Sequence, residues 1–221
     1  MQNLPPFSAI ILDMDGLILD TEVTYCVAWQ QATLALGFEL PLAFFSALAG
    51  LPFQRIEEKL QQACRGQLPL AKFRQLSGDY WYKQIASKGI ATKKGYDELL
   101  AVIEQYKIPY CLATNSVEKN AQYCLEVAGV IDKFPLMVCS DHVNQPKPAA
   151  DIILKSAELL KQSAVKCLVV EDSLIGIQAA VNAAATPVLI SPEFQPPPLY
   201  HYKDLALLAT AIQLSDYNVG C

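Results

Sequence analysis

Histidine is almost missing from this chain: His142 and His201 are the only two in 221 residues. Seven cysteines are present, at positions 26, 64, 111, 124, 139, 167 and 221, yet no two show CxxC spacing. A zinc site of paired cysteines and histidines is therefore not expected. The odd count, and runs such as CLVV and YCLA, read instead as small buried apolar side chains in a reducing compartment. A basic excess is lacking too. The net charge is -5 and the pI about 5.1, which argues against a nucleic-acid binder, whose usual mark is a basic stripe. An anionic substrate stays open, because a bound cation can reverse the local field. Long apolar runs are also missing. AIIL, near the N-terminus, is too short for a signal peptide or a membrane span. A cytoplasmic protein with no membrane and no nucleic-acid partner is the expectation. No repeat appears, and no biased tract beyond the Pro-rich segment from Pro192 to Pro198, which reads as a loop.

What is present suits a large folded core: 52% hydrophobic and 18% charged residues. Five short apolar runs stand out, namely AIIL, PYCLA, FPLMVCS, CLVV and TPVLI. Each reads as a strand buried on both faces, and each ends on polar residues. Helical periodicity fills the segments between them, at 96–106, 116–128, 149–160 and 174–184. Alternating strand and helix predict an α/β fold: a Rossmann-like parallel sheet core with helices on both faces. Residues 21–93 break the alternation with amphipathic helical stretches and no convincing strand. They read as an inserted all-helical cap over the strand ends, leaving 1–20 and 94–221 as the core.

Chemistry in such a sheet gathers beyond the carboxyl ends of the strands. AIIL leads into Asp13-Met14-Asp15-Gly16. Residues two apart leave a strand on the same side, so Asp13 and Asp15 repel unless a cation or a proton intervenes. One can attack phosphorus while the other serves as general acid and then base. An Asx turn or a calcium loop would carry the same pair. CLVV leads into Glu171-Asp172, which with Asp13 offers an oxygen cage for Mg²⁺, or else caps the following helix. PYCLA leads into Thr114 and Asn115, whose hydroxyl, amide and backbone N–H groups can bind a phosphate oxygen. Thr114 or Ser116 would equally make an ordinary N-cap. Lys147 lies in QPKPAADIIL between two prolines that restrict its backbone, where it can pair with nucleophile and phosphate or simply meet solvent. Independent strands delivering compatible groups to one rim make the chemical reading much stronger than any motif alone.

The stretches ILDMDGLILDTE, LATNS, QPKPAADIIL and VVEDSLIGIQAA, in this order, resemble the haloacid dehalogenase superfamily of aspartyl-phosphate enzymes over residues 8–190. Asp20-Thr21-Glu22 and the helical insert resemble the branch holding beta-phosphoglucomutase and phosphoglycolate phosphatase. The resemblance implies Asp13 as nucleophile and Asp15 as acid/base, with the Asp15 main-chain carbonyl on magnesium. It implies Asp172 as the other metal ligand, Glu171 nearby or water-bridged, and Thr114 and Lys147 on the transferring phosphoryl group. Dehalogenation needs neither Asp15 nor the metal cage and is not expected.

Beta-phosphoglucomutases have a cap histidine a few residues after the DT pair; Tyr25 stands at that place here, and the insert holds no histidine. Water is therefore the expected acceptor. The expected function is a Mg²⁺-dependent phosphatase of a small phosphorylated metabolite, such as a sugar phosphate, acting as a monomer or weak homodimer. A phosphomutase is the second reading, and a non-catalytic metabolite-binding or regulatory protein the third. Tyr25, Trp29, Arg55, Lys83 and Lys94 are candidates for setting substrate choice.

Overall fold

The computed structural model describes residues 4–48, 51, 53–192 and 200–215. Most of the Pro-rich segment read as a loop, and Cys221, lie outside the described residues. In chain order the elements begin with β1 (Ala9–Leu12), followed by four helices: α1 (Thr21–Ala35), α2 (Leu42–Ser46), α3 (Phe53–Ala63) and α4 (Leu70–Lys88). Then come α5 (Tyr96–Gln105), β2 (Tyr110–Ala113), α6 (Glu118–Val127), β3 (Met137–Val138), α7 (Asp151–Leu159) and β4 (Cys167–Glu171). The chain ends on α8 (Leu174–Asn182), β5 (Thr186–Ile190), β6 (Tyr200–Tyr202) and α9 (Leu205–Leu214). It divides into two compact units, one of residues 1–19 with 92–221, the other of residues 20–91.

The first unit is a six-stranded sheet in the order β3-β2-β1-β4-β5-β6, parallel throughout. The apolar runs fold this way because each strand is covered on both faces. Ala9 and Ile11 of β1 point to one face, Ile10 and Leu12 to the other, and all four are buried. The first face carries Ile152, Ile153 and Ala157 of α7 and Ala179 and Ala180 of α8, packed with Cys111, Cys167 and Val169. Small residues on α8 let it lie close to the strands. The order runs leftward from β1 to β3, then rightward from β1 to β6. Right-handed crossovers therefore put α5 and α6 on the face opposite α7 and α8, and α9 packs beside α5. The strand order reverses between β2 and β4, so β1 sits at the switch point, where open α/β sheets place their ligands.

Two elements escaped the sequence reading. β6 is a three-residue Tyr-His-Tyr strand with no apolar run to announce it, and α9 is apolar on most of its surface and shows little periodicity. The run FPLMVCS yields only the two-residue β3. Pro135 has no N–H for a ladder, and Ser140–His142 turn into a short 3₁₀ helix.

Helices are the regular elements among the described residues of the second unit, which has a core of its own built on Trp29, Phe45, Leu60 and Phe73. Tyr25 stacks on Trp81 at 4.8 Å and on Trp29 at 5.9 Å. The Trp81 indole N–H donates to Thr24 Oγ1 at 2.9 Å, satisfying its polar edge. Among the described residues no helix is long and apolar enough to cross a membrane.

Gly95 marks where α5 meets α9. Its φ is +87°, and a Cβ there would lie 2.1 Å from the Ala206 backbone nitrogen. Gly95→Ala should therefore cost about 2 kcal/mol or more in urea unfolding; an unchanged midpoint would contradict this packing.

Candidate active site

Register builds the site. Leu12 pairs with Leu112 of β2 and Val170 of β4, so the next rung brings Asp13 level with Ala113 and Glu171. Lys147 closes on that rung from outside the sheet. Its ammonium donates to Asp13 Oδ1 at 2.7 Å, to the Ala113 carbonyl at 2.7 Å and to Glu171 Oε1 in a very short contact. All three ammonium hydrogens are thus used. Lys147, Asp13 and Glu171 are all buried.

Burial raises the Asp13 carboxyl well above its usual range, Glu171 and Asp172 add to the rise, and Lys147 opposes it. Burial alone would lower the Lys147 ammonium, but Asp13 and Glu171 beside it win and hold it above its ordinary value. The site thus has more carboxylate than its one ammonium can neutralise.

The acidic groups are seated with care. Glu171 Oε2 accepts from the Ser173 hydroxyl at 3.0 Å, and Ser173 Oγ accepts the Gly176 N–H at 3.0 Å as the N-cap of α8. A Cβ on Gly176 would lie 1.8–2.2 Å from the Glu171 carboxylate. Glycine is therefore needed inside this helix to make room for the acid. Gly16 does the same for Asp172: its φ is +82°, and a Cβ would come 2.0 Å from Asp172 Oδ2. Carboxylate oxygens of Asp13, Glu171 and Asp172 lie within 4.8 Å of one another. Hard oxygen donors with excess negative charge fit a hard divalent cation such as Mg²⁺.

Asp15 faces β2. Its Oδ2 accepts from the Ser116 hydroxyl at 2.8 Å and from Thr114 Oγ1 at 3.4 Å, while Thr114 Oγ1 accepts the Ser116 N–H at 3.0 Å. Asn115 directs its side chain to Lys147: Oδ1 accepts the Lys147 N–H at 2.9 Å, and Nδ2 donates to the Lys147 carbonyl at 3.0 Å. The amide is committed to the lysine loop, and the residue's backbone is what it can offer to a phosphate.

Hydrogen bonds thus join Asp13, Lys147, Glu171 and Asn115, the carboxylate cluster adds Asp172, and the Asp15 contacts bring in Thr114. The sequence reading passed over Ser116 as a donor to Asp15, the Ala113 carbonyl, Ser173 and Gly176. A glycine inside a helical pattern was the one available signal for the last. Among the cap candidates, Trp29 belongs to the cap's own core, Arg55 pairs with Glu58 at 2.7 Å, and Lys83 is exposed. Lys94 pairs with Asp204 at 2.7 Å, at the start of α9.

A second group of metal-ligating types, Cys139, Asp141 and His142, lies at the end of β3. Hydrogen bonds of the local turn account for it. His142 Nδ1 accepts the Cys139 N–H at 3.2 Å, and Asp141 Oδ1 accepts the Glu118 N–H at 3.0 Å.

The raised Asp13 carboxyl has a consequence for stability. Its contribution is fully present below the ordinary value of 3.8 and is lost as pH rises through the raised folded value. The metal-free protein therefore carries repulsion at neutral pH. Asp13→Asn in EDTA should melt above the wild type at neutral pH by scanning fluorimetry, and Mg²⁺ should narrow the gap. A variant melting at or below the wild type in EDTA would contradict this charge balance.

Comparison with known proteins gives the family and the fold. A family model described as haloacid dehalogenase-like hydrolase matches residues 10–190. Fructose-1-phosphate phosphatase YqaB of Escherichia coli is 30% identical over 177 residues, covering 79% of this chain and 91% of that protein. The phosphorylated carbohydrates phosphatase of Thermotoga maritima is 28% identical over 175 residues, covering 79% and 81%. The fold matches the crystal structure of a HAD family hydrolase from Deinococcus radiodurans, solved with bound phosphate and sodium. The TM-score is 0.80 at 21% identity, and the match covers 98% of this chain and 99% of that one. The chain belongs to the haloacid dehalogenase-like hydrolase family, as an enzyme of the phosphatase type.

Proposed function

We propose that the chain is a Mg²⁺-dependent phosphatase that hydrolyses a small phosphorylated metabolite, a sugar phosphate or similar compound, through an aspartyl-phosphate on Asp13. The observation that carries the reading is the buried rung on which one ammonium meets Asp13 and Glu171 beside Asp172. Relatives named for fructose 1-phosphate and for phosphorylated carbohydrates support the substrate class.

Asp13, the Asp15 carbonyl and Asp172 would hold the cation, with Glu171 close by. Bound there, the cation would neutralise carboxylate and phosphate charge. An Asp13 carboxylate oxygen attacks phosphorus, and the bond from phosphorus to the substrate oxygen breaks. Lys147 favours the ionised form of the attacking carboxylate against its burial and can pass a hydrogen bond to a phosphoryl oxygen, as Thr114 can from its hydroxyl. Asp15 gives its proton to the leaving oxygen and takes one back from the water that cleaves the aspartyl-phosphate. Ser116 keeps Asp15 aimed while it is ionised.

Residues 1–20 and 94–221 carry this chemistry in our reading, and residues 21–93 select the substrate. The lack of a histidine anywhere in 21–93 favours water over a sugar hydroxyl as acceptor. A reducing cytoplasmic setting suits six buried free cysteines.

A screen of phosphorylated metabolites with Mg²⁺, read by phosphate release, tests the proposal. Activity should vanish in EDTA and return with Mg²⁺. Asp13→Asn should lower kcat by at least about 10³-fold with the fold intact, because an amide cannot replace the nucleophile. A folded Asp13→Asn protein with wild-type turnover would exclude Asp13 as the phosphoryl carrier.

A further inference from the structure

We infer that Asn115 is a positioning residue that acts through Lys147, its side-chain amide holding the lysine's backbone rather than touching substrate. The inference rests on the proposed role of Lys147 at Asp13. Lys147 lies between Pro146 and Pro148, neither of which has a backbone N–H. The segment belongs to no helix or strand, so no ladder fixes it. Asn115 supplies the missing ladder. Its amide presents one acceptor and one donor, as a peptide group would, and meets the Lys147 N–H at 2.9 Å and the Lys147 carbonyl at 3.0 Å.

The same stretch of chain holds the other end of the lysine. The ammonium donates to the carbonyl of Ala113 at 2.7 Å, two residues before Asn115. Backbone and head group of Lys147 are thus both tied to the end of β2, with Thr114 between the two anchor points. The place of the ammonium relative to the Thr114 hydroxyl is therefore set within one short segment, and the β1–β2 register brings Asp13 beside it. Asn182 Nδ2 adds a hold on the next residue, donating to the Pro148 carbonyl at 2.8 Å.

A lysine with a four-carbon stem and no fixed backbone would sample many positions. Each would have to be abandoned for the ammonium to bridge Asp13 and a phosphoryl group. Asn115 removes that freedom before substrate arrives.

The test uses the full chain, with Asn115→Ala and Asn115→Asp. The aspartate is of the same shape and still accepts the Lys147 N–H, but it cannot donate to the Lys147 carbonyl. Three quantities are measured beside the unfolding midpoint: kcat and KM for an aryl phosphate, calorimetric binding of inorganic phosphate, and Mg²⁺ affinity by thermal-shift titration. Asn115→Ala should lose roughly 10- to 100-fold in kcat, the scale of displacing a reacting group by about 1 Å. Phosphate binding should weaken with it, Mg²⁺ affinity should stay within about twofold, and Asn115→Asp should also lose kcat and phosphate binding while remaining folded. A merely structural role would lower the midpoint and the folded fraction but leave kcat per folded molecule unchanged, and that result would overturn the inference. So would a folded Asn115→Asp or Asn115→Ala protein with wild-type kcat and phosphate affinity. A wild-type chain without Mg²⁺-dependent phosphatase activity would overturn the phosphatase reading, and this inference with it; that failure shows in the wild type alone.

Discussion

The ammonium of Lys147 joins three neighbouring strands at one rung, meeting Asp13 after β1, the carbonyl of Ala113 at the end of β2 and Glu171 at the end of β4. Each partner is at the switch point for a topological reason. β1 is the strand about which the order reverses, and the parallel register sets its neighbours level with Asp13. A buried carboxylate is costly unless paired, and here two share one cation. Much of the surrounding sequence serves that arrangement. Gly176 clears space for Glu171, Ser173 hydrogen-bonds it, Gly16 clears space for Asp172, and two prolines with Asn115 hold the lysine.

The charge left over is as informative as the charge that is paired. Asp13, Glu171 and Asp172 outnumber Lys147, and the Asp13 carboxyl is held high in consequence. In a protein of net charge -5 such a pocket would repel a phosphate ester. A divalent cation would resolve both difficulties, since it would satisfy the carboxylates and turn the local field in favour of an anion. The residues that burden the fold without metal are thus the ones that make the proposed chemistry possible with it.

The sheet was legible because its strands are buried on both faces. AIIL, YCLA, CLVV and TPVLI are unbroken apolar runs, and each became a strand within a residue of where it reads. β6 was hidden because Tyr-His-Tyr is too short to show a pattern, and α9 because a helix apolar on most sides has little periodicity. At the site, Asp13, Glu171 and Asp172 could be read from their place after strands. Their mutual register could not be, since pairing across strands distant in sequence leaves no local mark. Ser116 shows the same limit. A serine before a helix reads as a cap, yet α6 begins after Val117, and the hydroxyl goes to Asp15, 101 residues away in sequence. Asn115 reads as a phosphate donor because its amide is of the right type, and only the fold shows that Lys147 occupies it.

Helices α1 to α4 carry a core of their own and lack every group in the rung. The central claim concerns the chemistry proposed for the other unit alone: the phosphoryl group passes through Asp13. Acid-quenching the enzyme during turnover, reducing it with borohydride and mapping the peptides by mass spectrometry tests that claim most directly, because an aspartyl-phosphate is reduced to homoserine. Homoserine at position 13, absent when substrate or Mg²⁺ is withheld, is the expected result. Turnover with an unmodified position 13, or with the modification at another residue, would contradict it.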